Sequence, residues 1–199
     1  MPDPPEVSAI NRYLFENPYP LGGLLLLVGA VALYSGLRHG FKDRLYSGLA
    51  FALLGLAAIG TGWAVVTSAE HARAVTRQLV AAVETGDTVA ALKLFANDGA
   101  LTVGSPQNPG FDTAFIRRQP DWVASRYTIE SNRITQLDGY SQSPDEGVVH
   151  LACWTEVGMG FGATRWVVKV KEQPDGTWKI HRLTWISVQN SPARRELLR

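Results

Sequence analysis

The chain of 199 residues holds a single cysteine, Cys153. That excludes an internal disulfide framework and any paired-cysteine metal or redox motif. No sign of charge dominates: 19 Lys and Arg stand against 18 Asp and Glu, a formal net charge of +1. Nothing in that balance would gather nucleic acid, and no nucleic-acid partner is expected. The four histidines, His39, His71, His150 and His181, are scattered without an HxxxH pair or clustered acids. No metal and no cofactor is therefore expected. The nucleophile motif GxSxG and the Walker glycine loop are both missing; "GMGFG", Gly158 to Gly162, joins two strand-like runs instead of opening a helix. The start, "MPDPPEVSAINRYLFENPYP", is acidic and proline-rich, without the basic n-region of a cleavable signal peptide.

Charge is missing altogether from two long stretches. Leu21 to Leu37, "LGGLLLLVGAVALYSGL", carries none, nor does Leu45 to Val66, "LYSGLAFALLGLAAIGTGWAVV". Each approaches the ~20 apolar residues with which a helix crosses a bilayer. In lipid the backbone must satisfy its own hydrogen bonds, so both are expected to be helices despite their glycines. Residues 20–66 thus read as a transmembrane helical hairpin behind a tail at 1–19, with the lipid bilayer as its partner. Gly29, Ala32, Gly36 and Gly40 recur at helical spacing, as do Gly48, Ala52, Gly55 and Gly62. The two stripes are expected to face each other, because small residues let helix backbones approach closely. Arg38, Lys42 and Arg44 crowd into the connection "RHGFKDR", whereas the tail carries only Arg12. The positive-inside rule then places the connection in the cytoplasm and the rest of this integral membrane protein, including its soluble domain, on the extracytoplasmic side.

Beyond Val66 the pattern becomes that of a soluble domain, residues 67–190, followed by a tail at 191–199. Thr67 and Glu70 have capping-box spacing, and Ala72, Val75, Leu79 and Ala82 share one helical face. Gly86 should end that helix and Asp87 should cap a second, "TVAALKLFA", which "NDG" at Asn97 to Gly99 turns away from. A short helix is expected over Asp112 to Val123. Four strand-like runs follow, "RYTIESNRITQL", "GVVHLACWTEV", "ATRWVVKVKE" and "GTWKIHRLTWISV", separated by "DGYSQSPDEG", "GMGFG" and "PDG". In the tail, Ser191 and Pro192 read as the cap and first position of a helical turn.

Helices first and a meander afterwards read as α+β. Two amphipathic helices broken by "TGD" and a closing "DGTWKIHRLTWISV" resemble the nuclear-transport-factor-two-like superfamily, which includes ketosteroid isomerases and SnoaL-type cyclases. The resemblance covers roughly Ser68 to Val188. It implies a cone-shaped domain of N-terminal helices packed on a curved antiparallel sheet, behind the two-helix transmembrane hairpin. The residues carrying it are packing residues: Asp175 and Gly176 turn the hairpin, and Trp178 and Ile180 fill the core.

The isomerase branch of that superfamily places an aspartate base and a Tyr/Asp oxyanion pair inside the cone. No such set is found here: Asp98, Asp138 and Asp175 sit in turn-like dipeptides, Asp112 and Asp121 flank the short helix, and Tyr127 and Tyr140 have no acid at a telling spacing. The candidate pocket or surface site is instead His150, Trp154, Glu156, Arg165, His181 and Trp185, spread over three strands. Alternation puts His150 on one face with Ala152, Trp154 and Glu156, and His181 on one face with Leu183 and Trp185. Were those faces the same, two histidines and two tryptophans would line one surface. The bland alternative is a partly buried aromatic face with hydrogen-bonded histidines at its edge. Cys153, mid-strand, reads as a buried inert thiol.

Two functions compete. The first is a membrane-anchored, non-catalytic interaction or assembly domain that presents the cone at the membrane surface to a protein partner or to a second copy as a homodimer. The resemblance supports it, since relatives so built serve as assembly factors of membrane complexes. The second is a small-ligand-binding or enzymatic domain that uses the interior of the cone, which needs an open pocket of roughly 300 Å³ or more. Transport through the hairpin is disfavoured, because neither apolar stretch carries an ionisable residue.

Overall fold

The computed structural model of the chain describes residues 19–64, 66–118, 129–158, 160–189 and 191–194. The chain divides into two compact units, one running through Thr67 and one from Ser68 onward.

The first unit is a pair of helices, α1 at Tyr19–His39 and α2 at Lys42–Ala64. Both are long and apolar enough to cross a membrane. Their connection is tighter than "RHGFKDR" suggests. Arg38 and His39 finish α1 and Lys42 to Arg44 begin α2, leaving only Gly40, at φ +70°, and Phe41 between them. Gly40 supplies the left-handed residue that stops a helix. Arg44 fastens the turn, donating to Ser35 Oγ at 2.6 Å and lying 4.9 Å above the Phe41 ring.

The small-residue stripes do face each other. A Cβ on Gly48 would lie 2.7 Å from the amide nitrogen of Leu33, and one on Gly29 would lie 2.9 Å from that of Ala52. Gly55 sits in the same way against the Gly22 carbonyl, at 2.9 Å. These are backbone-to-backbone contacts that any larger side chain would prise apart. The buried glycines of α1, Gly22, Gly29 and Gly36, recur every seven residues, as do Gly48 and Gly55 of α2. A seven-residue seam makes two helices wind left-handedly around each other. Gly40 departs from the expected stripe: it lies in the turn with open space around it, and Gly22 takes the remaining place. Gly62 lies in a stretch whose packing is outside the description.

The second unit opens with α3, Ser68–Glu84, and α4, Thr88–Lys93. Gly86, at φ +68°, ends the first, and Asp87 caps the second by accepting the Ala90 N–H at 2.8 Å. The strands are β1 Phe95–Val103, β2 Ile129–Ser143, β3 Glu146–Val157, β4 Gly160–Glu172, β5 Trp178–Val188 and β6 Ser191–Pro192. They form one sheet in the order β1-β5-β4-β3-β2, with β6 beside β5. All neighbours are antiparallel except β1 and β5.

Helix α3 lies across one face of this sheet. Its face of Ala72, Val75, Leu79 and Ala82 packs with Val149, Leu151, Val168, Val170 and Ile180, four of which are fully buried with Ala72. Each such side chain contributes roughly 1.5–3 kcal/mol by leaving water. The crossing is closest at Gly147, where a Cβ would collide with the Ser68 carbonyl oxygen and stand 2.7 Å from the Ala72 methyl. Ser68 donates to the Ser143 carbonyl at 2.7 Å and Arg73 to that of Gly139 at 2.6 Å, tying the start of α3 to the far end of β2.

Three expectations are corrected, and a fourth is met as far as the described residues reach. "FANDGALTV" is strand β1; its Asn97 to Gly99 segment forms an irregularity between Phe95 and Ala100 where the register to β5 shifts, so the turn chemistry is absorbed as a bulge. "DGYSQS" belongs to β2, and the hairpin turns only at Pro144 and Asp145. Gly139 is needed inside that strand because Arg73 packs over it, 2.9 Å from where a Cβ would be. Ser191 and Pro192 pair with Val188 and Ser187 instead of starting a helix, and Ala193 is buried beside them. Of the helix over Asp112 to Val123, residues 113–118 are helical, with Asp112 capping the Phe115 N–H at 2.9 Å; Asp121 and Tyr127 lie outside the described residues.

Candidate functional site

The alternation of β3 sends Val149, Leu151, Cys153 and Thr155 toward the helices, and His150, Ala152, Trp154 and Glu156 to the opposite face. On β4 the helix side carries Thr164, Trp166, Val168 and Val170, and the outer side Arg165, Val167, Lys169 and Lys171. On β5 the strict alternation fails. Ile180 pairs with Val170 and Leu183 with Val168, both facing the helices although three positions apart. The extra residue is a bulge at His181. A second irregularity lies opposite Arg165 and Trp166, where Trp185 and Ser187 are successive partners.

The six candidate residues are consequently divided between faces. His150, Trp154, Glu156 and Arg165 share the outer face. His150 is buried there, edge-on to Tyr140 at 5.8 Å, opposite Asp138 on β2 and Val167 on β4. Burial holds its imidazole below the usual histidine range, opposed by the nearby Asp138 carboxylate. Burial likewise raises the Tyr140 phenol, helped by Glu146. Trp154 is half exposed and stacks on Phe161 at 4.6 Å, Glu156 accepts the Ser131 hydroxyl at 2.9 Å, and Arg165 is exposed. Trp185 is on the helix side, stacked on Trp166 at 5.7 Å, with its indole N–H donating to the Ser187 carbonyl at 3.2 Å. His181, in the bulge, sets Nδ1 3.3 Å from Asp98 Oδ1. The two histidines and two tryptophans do not line one surface.

The helix side holds something that the sequence did not announce. Between α3, α4 and the sheet lies a cavity of about 560 Å³. Its depths are apolar, with Leu79, Val80, Ala91, Leu101, Leu151 and Cys153 all buried. Polar groups are few. Thr155 donates its hydroxyl to Asn132 Oδ1 at 2.9 Å, and Thr164 stands beside Trp166. Among the described lining residues the exposed ones are Val83 to Asp87, where α3 passes into α4, and they form the rim of the cavity. Glu84 there accepts the Asn132 amide N–H at 3.3 Å.

The Cys153 thiol is pushed up to about 11 by burial, which keeps it protonated and unreactive near neutrality. Among the described residues lining the cavity there is no histidine, and both carboxylates, Glu84 and Asp87, are at the exposed mouth. Asp138, the register partner of His150 across β2 and β3, belongs to the outer face with it, and Asp98 meets His181 at the bulge. No group of three or more potential metal ligands is present among the described residues.

No protein-family model matches this chain. No curated protein matches either. Solved structures that align with it are ketosteroid isomerase-like and NTF2-like proteins, the group that the sequence resembles. A ketosteroid isomerase-like protein from Erwinia carotovora is 17% identical over 60% of this chain and 96% of its own, with a TM-score of 0.48. An NTF2-like protein of unknown function from Pseudomonas putida is 16% identical over 61% and 89%, with a TM-score of 0.49. A candidate scytalone dehydratase from Novosphingobium aromaticivorans is 12% identical over 60% and 85%, with a TM-score of 0.47.

Proposed function

We propose that this protein is a membrane-anchored receptor that holds an apolar small molecule inside its cone and performs no chemistry on it. The observation that carries this reading is the open interior. At about 560 Å³ it lies within the range of roughly 300–1,000 Å³ typical of small-molecule sites, and its lining is mainly apolar with a few placed polar groups. A solidly packed cone would have left only its outside to work with.

The non-catalytic part of the reading is supported by what faces the cavity. General acid–base chemistry needs a titratable group within hydrogen-bond reach of the reacting atoms. Among the described lining residues the deep thiol is held protonated and the two carboxylates stand at the exposed rim. The anchoring part is supported by α1 and α2, whose exposed surfaces carry Leu24, Leu27, Val31, Leu53 and Leu56, the side chains a lipid environment would solvate. Docking of a protein partner is favoured by one observation of its own: Trp154 and Phe161 stack on the outer face while 37% and 59% exposed.

Cys153 tests the ligand-binding reading, because it is the sole thiol and lines the cavity. The full chain in zwitterionic lipid nanodiscs is treated with N-ethylmaleimide at about pH 9, where some thiolate exists, and alkylation is followed by intact mass. Octanol occupying the cavity slows the reaction several-fold. An unchanged rate up to the aqueous solubility of octanol would remove the proposal.

A further inference from the structure

The mouth of the cavity is electrically one-sided. Among the described lining residues only Glu84 and Asp87 are charged, and neither lysine, arginine nor histidine accompanies them. Both sit where α3 ends and α4 begins, so the opposed ends of the two helix dipoles offset each other there and the negative field is that of the two carboxylates. The local hydrogen bonds leave the charges where they are. Asp87 accepts one backbone N–H from Ala90 and Glu84 one from Asn132; neither has a cationic partner among the described residues. Beneath this rim the cavity is apolar down to Leu151 and Cys153.

From this we infer that the natural occupant is a cationic amphiphile: an apolar body with a protonated amine or quaternary ammonium at one end. The inference rests on the reading of the cavity as a ligand site and adds the charge of the ligand to it. The apolar body enters the cone, and the cationic head stays at the mouth beside Glu84 and Asp87, still partly hydrated. A fatty acid or alkyl sulfate of the same length would bring its anionic head against the same two carboxylates. Amphiphiles matched in tail and differing in head are therefore discriminated by the rim alone.

The test uses the same Cys153 alkylation in zwitterionic nanodiscs, with octyltrimethylammonium, octanol and octyl sulfate as protecting agents. The cation is expected to protect at roughly five- to tenfold lower concentration than the sulfate, with octanol between them, and about 0.5 M salt should shrink the gap. In the double variant Glu84→Gln, Asp87→Asn the gap should close to within about twofold. Both substitutions preserve the local structure, since asparagine caps helices as well as aspartate and glutamine keeps an oxygen for the Asn132 N–H. Equal protection by cation and sulfate, or a gap that survives in the double variant, overturns the inference while protection by octanol leaves the ligand site standing. Failure of octanol to protect removes the ligand site, and the inference with it.

Discussion

Asn132 and Thr155 are direct partners across the β2–β3 pair, and the threonine hydroxyl donates to the asparagine Oδ1 at 2.9 Å within the cavity. That bond commits the amide oxygen and leaves the amide NH₂ for an occupant. Replacing the asparagine by leucine removes the donor at nearly constant volume. Asn132→Leu should weaken protection of Cys153 by octanol about two- to tenfold, the worth of one net hydrogen bond. A hydrocarbon of equal size, which accepts nothing, should protect as well as before or better.

The Cys153 thiol has a pH signature. Held at about 11, it should alkylate roughly tenfold faster for each pH unit from 7 to 10, whereas a free thiol levels off near 9. Its contribution to stability follows the same shift. The unfolded thiol loses its proton first, so stability is fully present below about pH 9 and declines from there through about pH 11. Urea midpoints over that range should fall less in Cys153→Ala.

His150 acts at the other end of the scale. Its imidazole is depressed by burial, so the unfolded chain takes up the proton first. The stability it supports is present above about pH 6.5 and is lost as pH falls through the depressed value. Denaturation between about pH 7.5 and 5 should show a shallower loss in His150→Phe, which keeps an aromatic ring against Tyr140.

The hairpin seam can be tested by position. Gly48→Val places its side chain against the Leu33 backbone and should cost on the order of 1–3 kcal/mol of helix pairing. Gly23→Val, on the same hairpin with nothing within 4 Å of a Cβ, should be neutral. Electrophoretic mobility in detergent, where a paired hairpin migrates faster than an opened one, separates the two.

Orientation is decided by labelling intact cells. In a Cys153→Ser background, a cysteine at the exposed Ser191 should react with an impermeant maleimide, and one at Ser47 should not. The reverse pattern would place the cone in the cytoplasm and oblige the ligand to be sought there.

Much of the architecture was legible in the residues. Uncharged stretches of membrane length, the glycine face of each, Asp87 as a cap, Gly86 as a stop and the Asp175–Gly176 turn all announce local physics that the tertiary structure kept. Strand β1 was not legible because Asn-Asp-Gly has turn chemistry, and only pairing with a strand 82 positions away at Thr102–Thr184 draws it into the sheet. The division of the candidate site was hidden for a similar reason. One inserted residue at His181 inverts the alternation, and no pattern of side chains announces such a slip. The cavity was least visible of all. Leu79 and Cys153 read as ordinary core, and whether core residues meet or stand apart depends on how far α3 is held from the sheet.

The parallel pairing of β1 with β5 sets an order of assembly during synthesis. β1 has no neighbour other than β5 among the named strands, and β5 is the last long strand to be made. Closing so long an intervening loop is slow compared with forming the β2–β3–β4 meander, whose contacts are between successive strands. The helical hairpin leaves the ribosome ahead of the cone, whose sheet is complete only once β5 and β6 have emerged. A chain stopped before Trp178 would strand β1 without a partner and expose Leu183's intended neighbours, Val168 and Leu101, to water. Loss of β5 is thus as damaging to this domain as a break within the meander.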